Sequence, residues 1–177
     1  FRRSNWFEHV GNECENVQSN VGILDMTAFA KCRISGPGAK DFLDYLVANK
    51  LPQKNGRVNL CHALNTRGGV HSEFTIAKES DESYYLVSAG AFQRLDHDWI
   101  KKWIPKDRSV SFENLTNSLG VLVVAGPKSR DLLSKISKAD FSNESFPWLS
   151  ARKIDVGLAP SIAMRMNFVG ELGWELH

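Results

Sequence analysis

The chain has 177 residues, with 22 Lys+Arg against 20 Asp+Glu and a formal charge of +2. That near balance argues against a generic binder of nucleic acid or polyanions, which carries a clear basic excess or stripe. With 42% hydrophobic and 24% charged residues, the composition is that of a soluble globular protein of one domain or two closely packed subdomains, and no apolar run approaches the roughly 18 residues that span a bilayer.

Phe1 stands in place of an initiator Met, and the chain stops at Glu175, Leu176 and His177 in the middle of a strand-like pattern, so we expect a piece of a longer protein. Cys14, Cys32 and Cys61 form no Cys-x-x-Cys pair, and an odd count at long spacing predicts free thiols in a reducing compartment. A near-repeat with an offset of 90 positions organises what lies between. Ile34-Ser35-Gly36-Pro37 followed by Lys40-Asp41-Phe42-Leu43 matches Val124-Ala125-Gly126-Pro127 followed by Arg130-Asp131-Leu132-Leu133.

In the first copy the run Cys32 to Ile34 reads as a strand, then Gly-Pro opens a helix with Ala39, Phe42, Leu43, Leu46 and Val47 on one face, ending near Asn49. Strands over Leu60 to Leu64 and Val70 to Ala77 follow, joined as a hairpin by the five residues Asn65 to Gly69. Tyr84 to Ser88 is a further strand, and Phe92, Leu95, Trp99 and Trp103 recur at helical spacing as a buried stripe. Asn114 to Leu119 reads as a turn into the second copy, with its strand at Val121 to Val124 and a helix bearing Leu132, Leu133 and Ile136. After the loop at Phe146, Pro147 and Trp148, the alternation of Ile162, Met164, Met166 and Phe168 predicts a half-buried strand. Val169 to Glu171 turn, and Leu172 to Leu176 return as a hairpin partner. The fold class expected is α+β, with antiparallel sheets, packed helices and duplicated strand-Gly-Pro-helix units.

The five histidines, His9, His62, His71, His97 and His177, are scattered at no metal-ligand spacing, and no metal site is expected. There is no nucleophile elbow, phosphate-binding glycine loop or dinucleotide fingerprint. What remains are two glutamates inside apolar strands just past glycine turns, Glu73 and Glu175. Strand alternation can point either carboxylate to solvent; alternatively, a buried one can accept two parallel N–H bonds from a planar donor edge such as that of a pterin or guanine.

The run Gly170-Glu171-Leu172-Gly173-Trp174-Glu175-Leu176, the Asn65-x-x-Gly68-Gly69 turn and the segment Val21-Gly22-Ile23-Leu24-Asp25-Met26-Thr27 resemble the glycine-cleavage T-protein (aminomethyltransferase) superfamily. Within it, Asn5-Trp6-Phe7, Ala48-Asn49 and Ala125-Gly126-Pro127 with Ser129-Arg130 are most similar to the C-terminal folate-binding region of dimethylglycine and sarcosine dehydrogenases. The resemblance implies that residues 1–177 are the front part of a T-protein-like folate-binding domain, with a flavin domain upstream and the rest of the folate domain downstream. In such enzymes an N-methyl amino acid is oxidised at the flavin, and tetrahydrofolate captures the one-carbon unit as methylenetetrahydrofolate. Transferred by motif, Glu175 anchors the pterin, Phe168 flanks its ring, and Glu73 is the proton-handling carboxylate on a hairpin whose Gly69 and Ser72 also face the cofactor. Three positions depart from the pattern: Ser72 replaces a first acidic residue, Phe168 a tyrosine, and Leu60 a second tyrosine.

The cofactors implied are tetrahydrofolate and, in the full-length protein but not on this chain, FAD. The partners are folate, a small N-methylated amino acid and the flavin domain, without nucleic acid or membrane, and the chain is not expected to be active alone. A bacterial cytoplasm or the mitochondrial matrix would suit it. An aminomethyltransferase of the glycine-cleavage type and a non-catalytic regulatory or scaffold module of the same fold are the alternative functions.

Overall fold

The computed structural model describes residues 2–166 and 168–177. In chain order the elements are α1 (Phe7–Ser19), β1 (Gly22–Asp25), β2 (Ala30–Ser35), α2 (Ala39–Leu46), β3 (Val58–Leu64), β4 (Val70–Ser80) and β5 (Ser83–Ser88), followed by a short 3-10 turn at Gly90–Phe92. Then come α3 (Gln93–Trp103), β6 (Ser111–Asn114), β7 (Leu122–Ala125), α4 (Ser129–Ile136), β8 (Ala151–Val156), β9 (Ala159–Met164) and β10 (Gly173–Leu176). They divide into two compact units. One holds the residues up to Met26 with Val121–Trp148 and Arg152–His177, and the other holds Thr27–Gly120 with Leu149–Ala151.

Each unit has its own five-stranded sheet, ordered β1-β7-β10-β9-β8 in the first and β3-β4-β5-β2-β6 in the second. The second sheet packs one face on α2 and α3 through a core that includes Ile34, Phe42, Leu43, Phe74, Ile76, Tyr84 and Ile100. In the first unit Val124, Leu133, Phe141, Phe146 and Trp174 form the corresponding core.

The 90-residue repeat is structural. In each unit the repeat strand, β2 or β7, meets a glycine of positive φ, +115° at Gly36 and +130° at Gly126. The next helix then starts with an N–H donated back to that glycine's carbonyl, from Ala39 and from Ser129, at 3.0 Å in both. Glycine is required twice over, because a Cβ at Gly36 would stand 2.4 Å from the Ser109 carbonyl oxygen and one at Gly126 2.4 Å from that of Asn20.

Several elements differ from expectation for identifiable reasons. Helix α2 stops at Leu46 and not near Asn49, because the chain turns extended at Val47 and Ala48 donates its N–H to the His62 carbonyl on β3. In α3 the buried face is Asp96, His97 and Ile100, whereas Phe92 and Leu95 are exposed. A carboxylate can take that inward position because the Ser88 hydroxyl donates to Asp96 Oδ2 at 2.7 Å. Helix α4 likewise buries Ser129 with Leu133 and leaves Ile136 exposed; the Ser129 hydroxyl is satisfied by the Gly126 and Leu172 carbonyls.

Strand β9 ends at Met164, so Phe168 lies outside it and is exposed; Asn167, also assigned to that strand from sequence, lies outside the described residues. The pairing of Glu175 with Met164 and of Leu176 with Ala163 forms the expected final hairpin. Helix α1 and strands β1, β6 and β8 were not anticipated. The helix buries none of its residues, and the strands lie at sheet edges with no buried side chain, so none carries a strong apolar period.

Candidate functional site

The β3–β4 hairpin is built around Asn65. Its side-chain oxygen accepts the N–H groups of Arg67 (2.9 Å) and Gly69 (3.1 Å), and its backbone N–H donates to the Gly69 carbonyl. An Asx-centred turn of this kind fixes the loop without tertiary help. Gly69 therefore serves the turn.

The register then shifts: Leu64 pairs with Val70, but Ala63 pairs with Ser72 and His62 with Glu73. His71 is the extra, bulged residue. It stacks on Trp99 with ring centroids 4.0 Å apart, and its Nδ1 lies 2.8 Å from Ser72 Oγ. Ser72 is buried beside that stack, on the helical side of the sheet with Phe74, while Glu73 projects from the opposite face.

On that opposite face the cross-strand partner of Glu73 is His62, with Nε2 2.9 Å from Glu73 Oε2. The other ring nitrogen, Nδ1, lies 3.2 Å from Asn49 Oδ1, an oxygen that also accepts the backbone N–H of His62 at 2.7 Å. Next along the same face, register places Leu60 beside Thr75, Thr75 beside Val87 and Val87 beside Lys31. Lys31 is fully buried and donates to the Thr27 carbonyl at 2.7 Å.

In the other unit Glu175 lies on β10, a strand inside its sheet, between Val123 on β7 and Met164 on β9. It is 2% exposed. Its Oε2 is 3.3 Å from His177 Nε2, and Oε1 bonds to no described residue. A buried carboxylate needs donors for its oxygens, and among the described residues His177 is the one hydrogen-bonded to the Glu175 side chain.

Its neighbour Trp174 points the other way, edge-on to Phe141 (5.4 Å) and Phe146 (5.9 Å). Arg130 and Arg165 lie 5.9 and 5.7 Å from the Trp174 ring centroid, and both donate to Asn143 Oδ1. Burial pushes the Arg165 guanidinium below its ordinary basicity, with repulsion from Arg130 adding to it.

Among the sequence-derived residues, Glu175 and Phe168 thus belong to one unit and Gly69, Ser72 and Glu73 to the other. Sequence reasoning missed the two histidines that attend the glutamates. His177 follows Glu175 at i+2, a strand spacing that puts both on one face. His62 could be matched to Glu73 only by placing the bulge at His71, since an unbroken hairpin would set His62 against Ser72. Among the described residues no cluster of three His, Cys, Asp or Glu is placed to hold a metal ion, and no helix is long and apolar enough to cross a membrane.

All three cysteines are free. Burial pushes the Cys32 thiol up to about 12, with Asp96 adding to the rise, and pushes Cys61 up to about 11. Because the thiolate is the nucleophile, iodoacetamide at neutral pH should alkylate the exposed Cys14 in the native protein and leave Cys32 and Cys61 unmodified until unfolding. Peptide mass mapping checks this.

Two antiparallel sheets, each carrying a strand-Gly-Pro-helix unit, define an aminomethyltransferase-like fold. Glycine cleavage system aminomethyltransferase T from Bartonella henselae matches it with a TM-score of 0.81 at 19% identity, over 93% of this chain and 44% of that one. A family model described as the GCVT N-terminal domain matches residues 1–177, and the chain belongs to that family. It is 37% identical over 178 residues to the mitochondrial dimethylglycine dehydrogenase of Mus musculus, covering 100% of this chain and 20% of that protein. The mitochondrial pyruvate dehydrogenase phosphatase regulatory subunit of Mus musculus is 31% identical over 180 residues, with the same coverage. The chain thus spans about a fifth of the length of these curated relatives.

Proposed function

We propose that this chain is the tetrahydrofolate-binding portion of a flavin-dependent N-methyl amino acid dehydrogenase or oxidase of the dimethylglycine or sarcosine type. The observation that carries the proposal is Glu175, a buried carboxylate with one oxygen free of any described hydrogen bond. Its chemistry fits a reduced pterin, whose adjacent ring N–H and exocyclic amine form a planar donor edge. When bound, tetrahydrofolate supplies the nitrogens that take up a one-carbon unit.

The rest falls to the protein. Glu175 holds the pterin edge, and the exposed ring of Phe168 offers it a stacking face. Glu73, half-exposed on the other unit, would accept a proton from a ligand nitrogen at its Oε1. The flavin belongs to another domain of the longer protein. Gly69 contributes by shaping the hairpin that carries Glu73.

Full-length protein titrated with tetrahydrofolate, followed by calorimetry, tests the proposal. Saturable binding supports it, and no binding at millimolar ligand sinks it. That second outcome would favour a regulatory module, a reading supported by the 31% identity to the phosphatase regulatory subunit and by Ser72 standing in place of a carboxylate.

A further inference from the structure

We infer that His62 is the positioning residue of Glu73, and that Asn49 fixes the His62 ring so that it bonds one carboxylate oxygen and leaves the other for the ligand. This rests on the proposed role of Glu73. The argument begins with Asn49, whose Oδ1 accepts the His62 backbone N–H at 2.7 Å and is thereby identified as the oxygen of the amide. The same oxygen lies 3.2 Å from His62 Nδ1, which must carry hydrogen to face an acceptor.

With Nδ1 so occupied, Nε2 is the nitrogen turned to Glu73 Oε2 at 2.9 Å. Two lone pairs cannot face one another at that distance, so with hydrogen on Nδ1 the contact is closed by a second hydrogen between Nε2 and Oε2, as the imidazolium form supplies. Second-partner control of a histidine tautomer is a general device for aiming a reactive group.

The support around the pair is rigid where it must be. Ala48 donates its N–H to the His62 carbonyl, and Asn59 Nδ2 donates to the Lys50 carbonyl, so residues on both sides of Asn49 are stapled to β3. Glu73 itself is half-exposed, and its Oε1 bonds to no described residue. A proton leaving a ligand nitrogen can therefore be taken at Oε1: the N–H bond breaks, the O–H bond forms, and the hydrogen between Nε2 and Oε2 stays with His62. A partly exposed ion pair adds little to folding stability, so its effect should be sought in the chemistry.

Two measurements separate this inference from the reading beneath it. In [15N]histidine-labelled protein, the ring signals of His62 should show hydrogen on Nδ1, and Asn49→Ala should erode that preference. An Nε2–H tautomer with bare Nδ1 in the native protein would overturn the inference whatever folate does.

In the full-length protein, His62→Leu should slow one-carbon transfer to tetrahydrofolate by about tenfold to hundredfold with KM for folate unchanged. His62→Gln, whose amide can still donate to Glu73, should recover most of the rate. Equal losses in both variants, or a loss confined to KM, would overturn the positioning role. Absence of transfer in the unmutated protein would instead refute the assignment of Glu73 and with it the role of His62, while the tautomer result would stand as a property of the fold.

Discussion

Replacing Trp174 by Ala is expected to be among the most destabilising substitutions in the chain, costing about 3–5 kcal/mol as large-to-small changes of buried aromatics do. Trp174 is fully buried and stands edge-on to two phenylalanines whose rings are nearly parallel, 6° apart in plane. Removing it leaves a void that the Phe141–Phe146 pair can fill only by breaking its own stacking. Arg130 and Arg165 also lie near the Trp174 ring while their guanidiniums reach the carbonyls of Phe141 and Phe146. Without the ring, those cations lose a favourable partner, and the loop from 141 to 146 loses its support.

For a chain of this size each kcal/mol shifts Tm by about 2–4 °C, so thermal unfolding followed by circular dichroism should fall by on the order of 10 °C. Trp174→Phe should lose less. It retains an aromatic body and removes an indole N–H that has no hydrogen-bond partner among the described residues. A Trp174→Ala variant with wild-type Tm would mean that this cluster is not the core of its unit.

The parts of the fold legible in the sequence were those with a local physical cause. Gly-Pro before an apolar helical period specified both strand-to-helix turns, and the Asn65–Gly69 segment specified a hairpin because Asn65 closes it on itself. The α3 stripe was misread because periodicity counts apolar residues, whereas Asp96 occupies the inward position with a partner, Ser88, at the end of β5. Burial of a polar group depends on such tertiary partners and leaves no periodic trace.

The candidate site divides in the same way. Glu73 and Glu175 stood out as carboxylates in apolar strands, but whether each was buried or exposed was open from sequence. The structure gives opposite answers, 2% exposure for the Glu175 residue and 52% for the Glu73 side chain. The one-residue bulge at His71 decides that Glu73 and not Ser72 stands opposite His62. A single inserted residue reverses every side chain beyond it, and nothing in the local composition of Val70-His71-Ser72 announces it.

Glu175→Gln is expected to separate binding from folding. The substitution keeps the shape of the side chain and an acceptor oxygen, and the amide removes a negative charge from a position that is nearly dry. Burying a charge that is only partly paired opposes folding, so the variant should unfold within about 1 kcal/mol of the native protein, the scale of a single neutral hydrogen bond. The ligand is affected differently. An amide can accept one N–H but presents an NH2 where the pterin edge has its second donor, so one charge-assisted bond is lost and a donor faces a donor. Each such bond contributes roughly 1.5–3 kcal/mol, which corresponds to a weakening of tetrahydrofolate binding by about one to two orders of magnitude. Calorimetric titration of the full-length variant, beside urea unfolding of the same preparation, reads both quantities. Unchanged affinity would remove Glu175 from the pterin site, and lost stability with lost affinity would recast it as a structural carboxylate paired to His177.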